Sequence, residues 1–453
     1  MAMKTVSTEV AVGTGGSATE KHPKGLYVLF ATEMWERFSF YSMLALFTLY
    51  MRNPDEGFGW SAEDATSLYA NYLMFVYASP LVGGWLADKK IGYRRAVMIG
   101  GVFFMAGHLL LSFRSLPIVY AALTCLVIGN GLFKPNVSTM VGNLYPEGSH
   151  LKDRAYNIFY MGINIGAFLG PVVMEVVKAR FGYHPAFAIA AFGMLISVGT
   201  LWWFKSYVED PKHGAQVSHT GTSESAQKAI NAANEMDAVP EWKRIVALIV
   251  IFLIVIVFWM VFHQNGSTLT YWADENTDWQ VSGTISNAIN PFWIVALTFP
   301  LVWMWKQLDR RGKEPSTPTK MAIGMTLTGL SFFVLYIAAK IGEATLTGND
   351  FYSYKVSAAW IISSYAVVSL GELMLSPMGL SLVSKVAPIR MRGLMMGGWF
   401  VATAIGNKLT MIGVYWDRWL HSSFFAVLGA MALVMAVVLF LLLKPLKKAM
   451  PGV

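Results

Sequence analysis

Glu33, Glu36 and Arg37 stand three and four residues apart inside an apolar run from about Leu26 to Met51. A run of that length crosses a bilayer as a helix, and the spacing puts the three side chains on one face. Each charge would cost roughly 3 kcal/mol or more near the bilayer centre, so together they need partners or a watery cavity. Two carboxylates beside a guanidinium shift each other's proton affinity. Their chemistry is that of a proton relay or ion-coupling site, the plainer reading being a neutralised structural cluster. Two further charges, Lys134 and Glu372, also fall within apolar runs, at similar depth. An isolated buried charge is far more costly than a paired one, so a Lys134–Glu372 bridge is expected.

The chain that positions these residues has 453 residues, 55% hydrophobic and only 14% charged. Such a composition is that of a polytopic, all-α membrane protein. A single cysteine, Cys125, excludes an intramolecular disulfide. Residues 1–24 are polar, lack the apolar core of a signal peptide and read as a disordered cytoplasmic tail. The Gly-Thr-Gly-Gly at 13–16 has no Lys-Ser/Thr after it and is no phosphate loop. No Cys/His ligand spacing, nucleophile elbow or nucleotide loop occurs, so neither an enzyme nor a metal or other cofactor is expected.

Twelve apolar segments follow: about 25–51, 63–87, 95–113, 117–143, 154–179, 185–204, 244–272, 282–305, 321–341, 356–384, 392–416 and 420–443. With the N-terminus cytoplasmic, most Lys and Arg fall on cytoplasmic segments, the positive-inside pattern. Both termini are thus expected in the cytoplasm of a multi-pass plasma (inner) membrane protein. The net charge of +8 is a topology signal, and no nucleic-acid partner is expected. The longest loop, about 205–243, divides residues 25–204 from 244–443, two six-helix halves, with a tail at 444–453. A weak surface helix is read at 224–236. Pro80 and Pro291, in segments two and eight, and Pro135 and Pro377, in segments four and ten, recur at matching places. Interrupted helices at corresponding positions point to a central site in a pseudo-symmetric transporter.

Asn164, Asn290 and Ser376, with Tyr41, Tyr77 and Trp399, lie within these segments and suggest, as a set, a polar cavity with aromatic walls. His108 is read as structural, Glu175 as reaching solvent and Lys408 as snorkelling outward. The loop Gly83-Gly84-Trp85-Leu86-Ala87-Asp88-Lys89-Lys90-Ile91-Gly92-Tyr93-Arg94-Arg95 looks like the loop motif of the major facilitator superfamily; Asp88 there would pair with basic residues of the turn or cap a neighbouring helix.

Four motifs stand in order: Glu33-Met34-Trp35-Glu36-Arg37-Phe38-Ser39-Phe40-Tyr41, Phe133-Lys134-Pro135-Asn136-Val137-Ser138, Phe159-Tyr160-Met161-Gly162-Ile163-Asn164-Ile165-Gly166-Ala167 and Gly371-Glu372-Leu373-Met374-Leu375-Ser376-Pro377-Met378-Gly379-Leu380-Ser381. With them the chain resembles the proton-dependent oligopeptide transporter family over about 25–445. The resemblance implies a major facilitator fold, twelve transmembrane helices in two pseudo-symmetric six-helix bundles. It also implies uptake of di- and tripeptides with protons by alternating access, driven by the proton gradient without a cofactor. By resemblance, Glu33, Glu36, Arg37 and Lys134 belong to proton coupling. Lys134 would also take the peptide carboxylate, and Asn164, Asn290 and Glu372 its amino end. Tyr41, Tyr77, Ser376 and Trp399 would line the pocket.

Besides Phe40, where the family's first motif has a tyrosine, the chain departs from the family's pattern at three places that matter. The 205–243 loop is too polar to supply the two extra helices of many bacterial members. Leu44 stands where peptide-transporting members carry an arginine, and His263 where helix seven carries an acid. The family's outer-gate bridge between helices one and seven is therefore expected to be lost as a pair, with Leu44 close to helix seven. The family also contains nitrate and plant-metabolite carriers, so another small solute is the alternative substrate. From other classes, a channel or a transporter-derived sensor would lack stoichiometric proton flux with solute.

Overall fold

The computed structural model describes residues 22–60, 62–146, 149, 151–208, 231, 234–266, 268–279, 289–346, 352–416 and 418–453. Most of the expected N-terminal tail and residues 224–230 of the expected surface helix lie outside the described residues; residues 234–237 are helical.

Twelve long helices run along the described chain. They are α1 (Lys24–Arg52), α2 (Ala62–Leu86), α3 (Tyr93–Leu110), α4 (Leu116–Asn143), α5 (Leu151–Phe181) and α6 (Tyr183–Trp203), then α7 (Glu241–Phe262), α8 (Ile289–Arg310), α9 (Thr317–Glu343), α10 (Ala358–Val386), α11 (Arg392–Leu409) and α12 (His421–Ala449). Among the described residues, seven of them are long and apolar enough to cross a membrane by length and composition alone. The mid-span charges of α1 lower its hydropathy below that level.

The packing repeats six helices on. α1 packs on α5 and α6, α3 on α4 and α6, and α2 on α4; likewise α7 packs on α11 and α12, α9 on α10 and α12, and α8 on α10. Across the two sets, α2 meets α11 and α8 meets α5, the same contact seen from either side. This is the pseudo-twofold of a major facilitator fold. Close backbone approach fixes equivalent helix pairs. A Cβ at Gly100 of α3 would lie 2.8 Å from the Gly129 carbonyl oxygen of α4, and one at Gly324 of α9 2.6 Å from that of Gly371 on α10. Small residues let membrane helices meet where no hydrophobic force between them operates.

The structure corrects several boundaries. Segment seven is not one helix: α7 gives way to a 3-10 turn, His263–Gly266, and a short helix, Thr268–Glu275. Asn265 and Gly266 are weak helix formers, and the Gln264 side chain donates 3.1 Å to the Thr410 carbonyl rather than facing its own helix alone. α12 runs to Ala449 through Lys444, Lys447 and Lys448, where a tail was expected from residue 444. Lysine is a good helix former and suits a helix C-terminus. Pro291 lies in the first turn of α8 as described, and the interior proline of that helix is Pro300. Pro135 and Pro377 do lie inside α4 and α10, at the same distance from their helix starts.

One end of the bundle gathers the start of α1, the α2–α3 turn, the ends of α4 and α6, the start of α7, the α10–α11 turn and the end of α12. Gly25 abuts Tyr207 and Leu144, Arg390 donates to Glu241, and Tyr93 reaches the Ile389 carbonyl. At this end the two halves are sealed together. Asp153 of α5 accepts from Lys320 of α9 and Lys385 of α10, each at 2.6 Å, and from the hydroxyls of Ser381 (2.6 Å) and Thr317 (3.0 and 3.1 Å). Arg154 bridges to Asp309 at 2.7 Å and Glu314 at 2.8 Å, and Lys320 also takes Glu314 at 2.7 Å. Asp88, in the α2–α3 turn, accepts the Gly393 and Leu394 amides at 2.9 and 2.8 Å, capping α11. Burial pushes the Asp88 carboxyl above the usual range, while these amides, Tyr93 and Arg392 draw it back.

Removing Asp153 would leave two lysines, Lys320 and Lys385, buried with one carboxylate, Glu314, between them. Asp153→Asn should therefore destabilise this end by about 3 kcal/mol or more. The expected readout is a clearly lowered thermal midpoint in detergent, partly restored by adding Lys385→Met. An unchanged midpoint would mean that the network holds nothing together.

Candidate functional site

α1, α4, α5, α8 and α10 bring the polar residues into two clusters. In the first, Glu33 and Glu36 are fully buried and Arg37 is 5% exposed. They share the inner face of α1, as the spacing requires. Arg37 grips Glu36 with two nitrogens: Nη2 lies 2.5 Å from Oε1 and Nε donates to Oε2. Its Nε is 3.5 Å from Glu33 Oε1. The same guanidinium donates 3.4 Å to Asn130 of α4 and sits 4.6 Å above the Phe40 ring. Asn130 is anchored in turn, donating 2.7 Å to the Val76 carbonyl of α2.

Lys134 enters this cluster from α4. Its Nζ donates to Glu33 Oε1, and it lies 5.7 Å from the Phe400 ring of α11. The expected Lys134–Glu372 bridge is thus replaced by a Lys134–Glu33 bridge within one half. Equal depth along two helices says nothing of lateral distance, and Lys134 has an acid on the adjacent helix. Two acids and two bases balance, the neutral arrangement that low dielectric requires. Glu33 Oε2 remains buried without a hydrogen-bond partner.

The second cluster is built on Glu372 of α10. It accepts from the Tyr160 hydroxyl of α5 and, at 2.9 Å, from Asn290 Nδ2 of α8, which also reaches Ser369 at 2.9 Å. Both donors to Glu372 are neutral. Asn164 donates 3.0 Å to the Tyr160 carbonyl one turn back, and Ser376 Oγ is buried beside the Tyr160 hydroxyl. Tyr41, one turn after Arg37 on α1, is half-buried with its ring edge-on to Phe40 at 5.4 Å. Trp399 is 2% exposed, stands edge-on to Phe252 at 6.1 Å and covers Gly379, where a Cβ would lie 1.9 Å from its ring.

Tyr160 was not singled out from the sequence, although its place four residues before Asn164 puts it on the same face of α5. The Asp153 network was missed as well.

His263 falls at the break after α7. Its Nδ1–H donates 3.0 Å to the Trp259 carbonyl and its ring stacks on Trp259 at 5.0 Å. The imidazole is therefore oriented by its own helix rather than by an acid. Leu44 is half-buried and packs against the hydrophobic core. His108 is buried, stacked on Phe104 at 5.9 Å; Glu175 is exposed and pairs with Lys178 at 2.6 Å, and Lys408 is exposed.

With this geometry in hand, comparison with known proteins is specific. The POT family profile matches residues 94–220 and 205–416. An uncharacterized transporter of Bacillus subtilis (strain 168), YclF, is 32% identical, covering 95% of this chain and 96% of its own. A di-/tripeptide transporter of Lactococcus lactis subsp. lactis (strain IL1403) is 28% identical over 95% of this chain and 97% of its own. Among solved structures, a POT peptide transporter in complex with alafosfalin superposes with a TM-score of 0.66 at 30% identity, covering 95% of this chain and 96% of the other. A POT family transporter in complex with 5-aminolevulinic acid gives 0.68 at 26% identity, covering 94% and 97%. The fold, the buried charges and these likenesses over nearly the whole length agree, and the chain belongs to the POT family.

Proposed function

We propose that this chain is a proton-coupled symporter that imports di- and tripeptides by alternating access across the plasma membrane. Both termini then face the cytoplasm, as the distribution of Lys and Arg supports, and the sealed end is the inner gate. In this proposal residues 25–204 and 244–443 are the two moving halves, joined by 205–243.

One observation carries the reading: Lys134, the cation for a peptide carboxylate, is already held by Glu33. A peptide carboxylate that takes Lys134 displaces Glu33. Stripped of its counter-charge in a desolvated site, Glu33 then gains affinity for a proton. Substrate and proton thus favour each other's binding, which is the reciprocity that symport needs. Glu36 stays balanced by Arg37 and holds the guanidinium in place. At the other end of the zwitterion, Glu372 is kept by neutral donors, Tyr160 and Asn290, leaving its charge for the peptide's ammonium group, with Asn164 beside it. Tyr41, Tyr77, Ser376 and Trp399 form the walls. A second reading, uptake of another small zwitterion, is favoured by Leu44 and His263, which withhold the family's outer arginine–acid pair; a relative binds 5-aminolevulinic acid.

Proteoliposomes under an inward pH gradient test this. Labelled dialanine should accumulate above equilibrium and nitrate should not; nitrate accumulation without dialanine uptake would overturn the peptide reading. Glu33→Gln and Glu36→Gln should each abolish uphill uptake while peptide counterflow persists. Normal concentrative uptake in both would remove the pair from coupling.

The outer side yields its own expectation. Installing the pair with Leu44→Arg/His263→Glu should tighten peptide affinity by about tenfold, ~1.4 kcal/mol, while either single variant, bearing an unpaired charge, should lose transport. A double variant no better than the singles would contradict the paired loss.

A further inference from the structure

Asn157 lies on α5 four residues after Asp153 and three before Tyr160, so the three share a face. Both neighbours reach the second half, Asp153 through Lys320 and Lys385 and Tyr160 through Glu372. Asn157 is fully buried, and neither its Oδ1 nor its Nδ2 has a hydrogen-bond partner. At the Lys385 level of α10, Ser384 Oγ is also buried without a partner. It sits over Gly142 of α4, where a Cβ would lie 1.7 Å away. Unpaired polar groups are thus enclosed around the sealed layer between the Glu372 cluster and the Asp153 network. A valine or leucine at 157 would pack there without any such penalty. A buried amide left unpaired is disfavoured against a wetted one, and this penalty exists only while the halves are together.

We propose that Asn157 is a positioning residue that biases the sealed end toward opening and lines the passage through which substrate leaves. The inference rests on the reading of that end as the inner gate. Its energetic logic opposes that of Asp153: the ion network closes the gate and Asn157 keeps the closure shallow enough to reverse.

The test uses the full chain with Cys125→Ser and a reporter, Ser384→Cys, reconstituted in vesicles. A membrane-impermeant thiol reagent applied at the sealed end labels the reporter at a rate proportional to the open fraction. Adding Asn157→Leu should slow labelling about tenfold, equivalent to ~1.4 kcal/mol, and lower turnover without lowering the thermal midpoint. Asn157→Ala, which removes the amide without adding bulk, should slow it in the same direction. Labelling that is unchanged or faster in the folded variants overturns the role of Asn157. A parent reporter that never labels while transport proceeds overturns the inner-gate reading, and this role with it.

Discussion

The structure depends on one constraint: charge placed inside a bilayer must be neutralised by charge or by donors held at hydrogen-bond distance. α1 carries three charges on one face, and the rest of the first half is arranged to answer them. Arg37 answers Glu36, Lys134 from α4 answers Glu33, and Asn130 ties Arg37 back to α2. In the second half the one charge, Glu372, is answered by neutral donors, Asn290 of its own half and Tyr160 of the first.

This asymmetry gives the proposed coupling its direction. A balanced cluster is stable as it stands, so it responds only to a ligand that brings its own charges. A zwitterionic peptide does so with both ends. In the proposed scheme its carboxylate would compete with Glu33 for Lys134, and its ammonium group would take the carboxylate of Glu372, which is held by neutral donors. In the same scheme the ion network around Asp153 would keep one end shut while the exchange takes place. Removing Asp153 from this network leaves Lys320 and Lys385 buried with one carboxylate, Glu314, so in the proposed scheme the gate is a two-state element rather than a soft hinge.

Much of this was legible in the sequence because it is local. Apolar runs locate the long helices, and a spacing of three and four puts Glu33, Glu36 and Arg37 together. The loop around Asp88 announces its own turn, and its carboxylate does cap a helix of the other half. What the sequence hid is lateral. Depth along α4 and α10 suggested that Lys134 faces Glu372, yet Lys134 turns to Glu33, and Glu372 is held by Tyr160 and Asn290. Asp153 lies on α5 of the first half, far along the chain from Lys320 and Lys385 on α9 and α10, and all three look, in sequence, like ordinary charges at helix ends. The break at His263 does carry a local signal, the weak helix formers Asn265 and Gly266, but the long apolar run before it and the apolar residues Leu269, Tyr271 and Trp272 beyond it read as one segment.

Proton uptake on peptide binding measures the proposed competition for Lys134 directly. Dipeptide is added to the purified transporter in weakly buffered detergent solution, and the pH change is followed with an indicator dye. If the peptide carboxylate displaces Glu33 from Lys134, binding draws protons from solution, and Glu33→Gln, while still binding peptide, draws none. Binding without proton uptake in the native chain, or equal uptake in Glu33→Gln, would contradict the account.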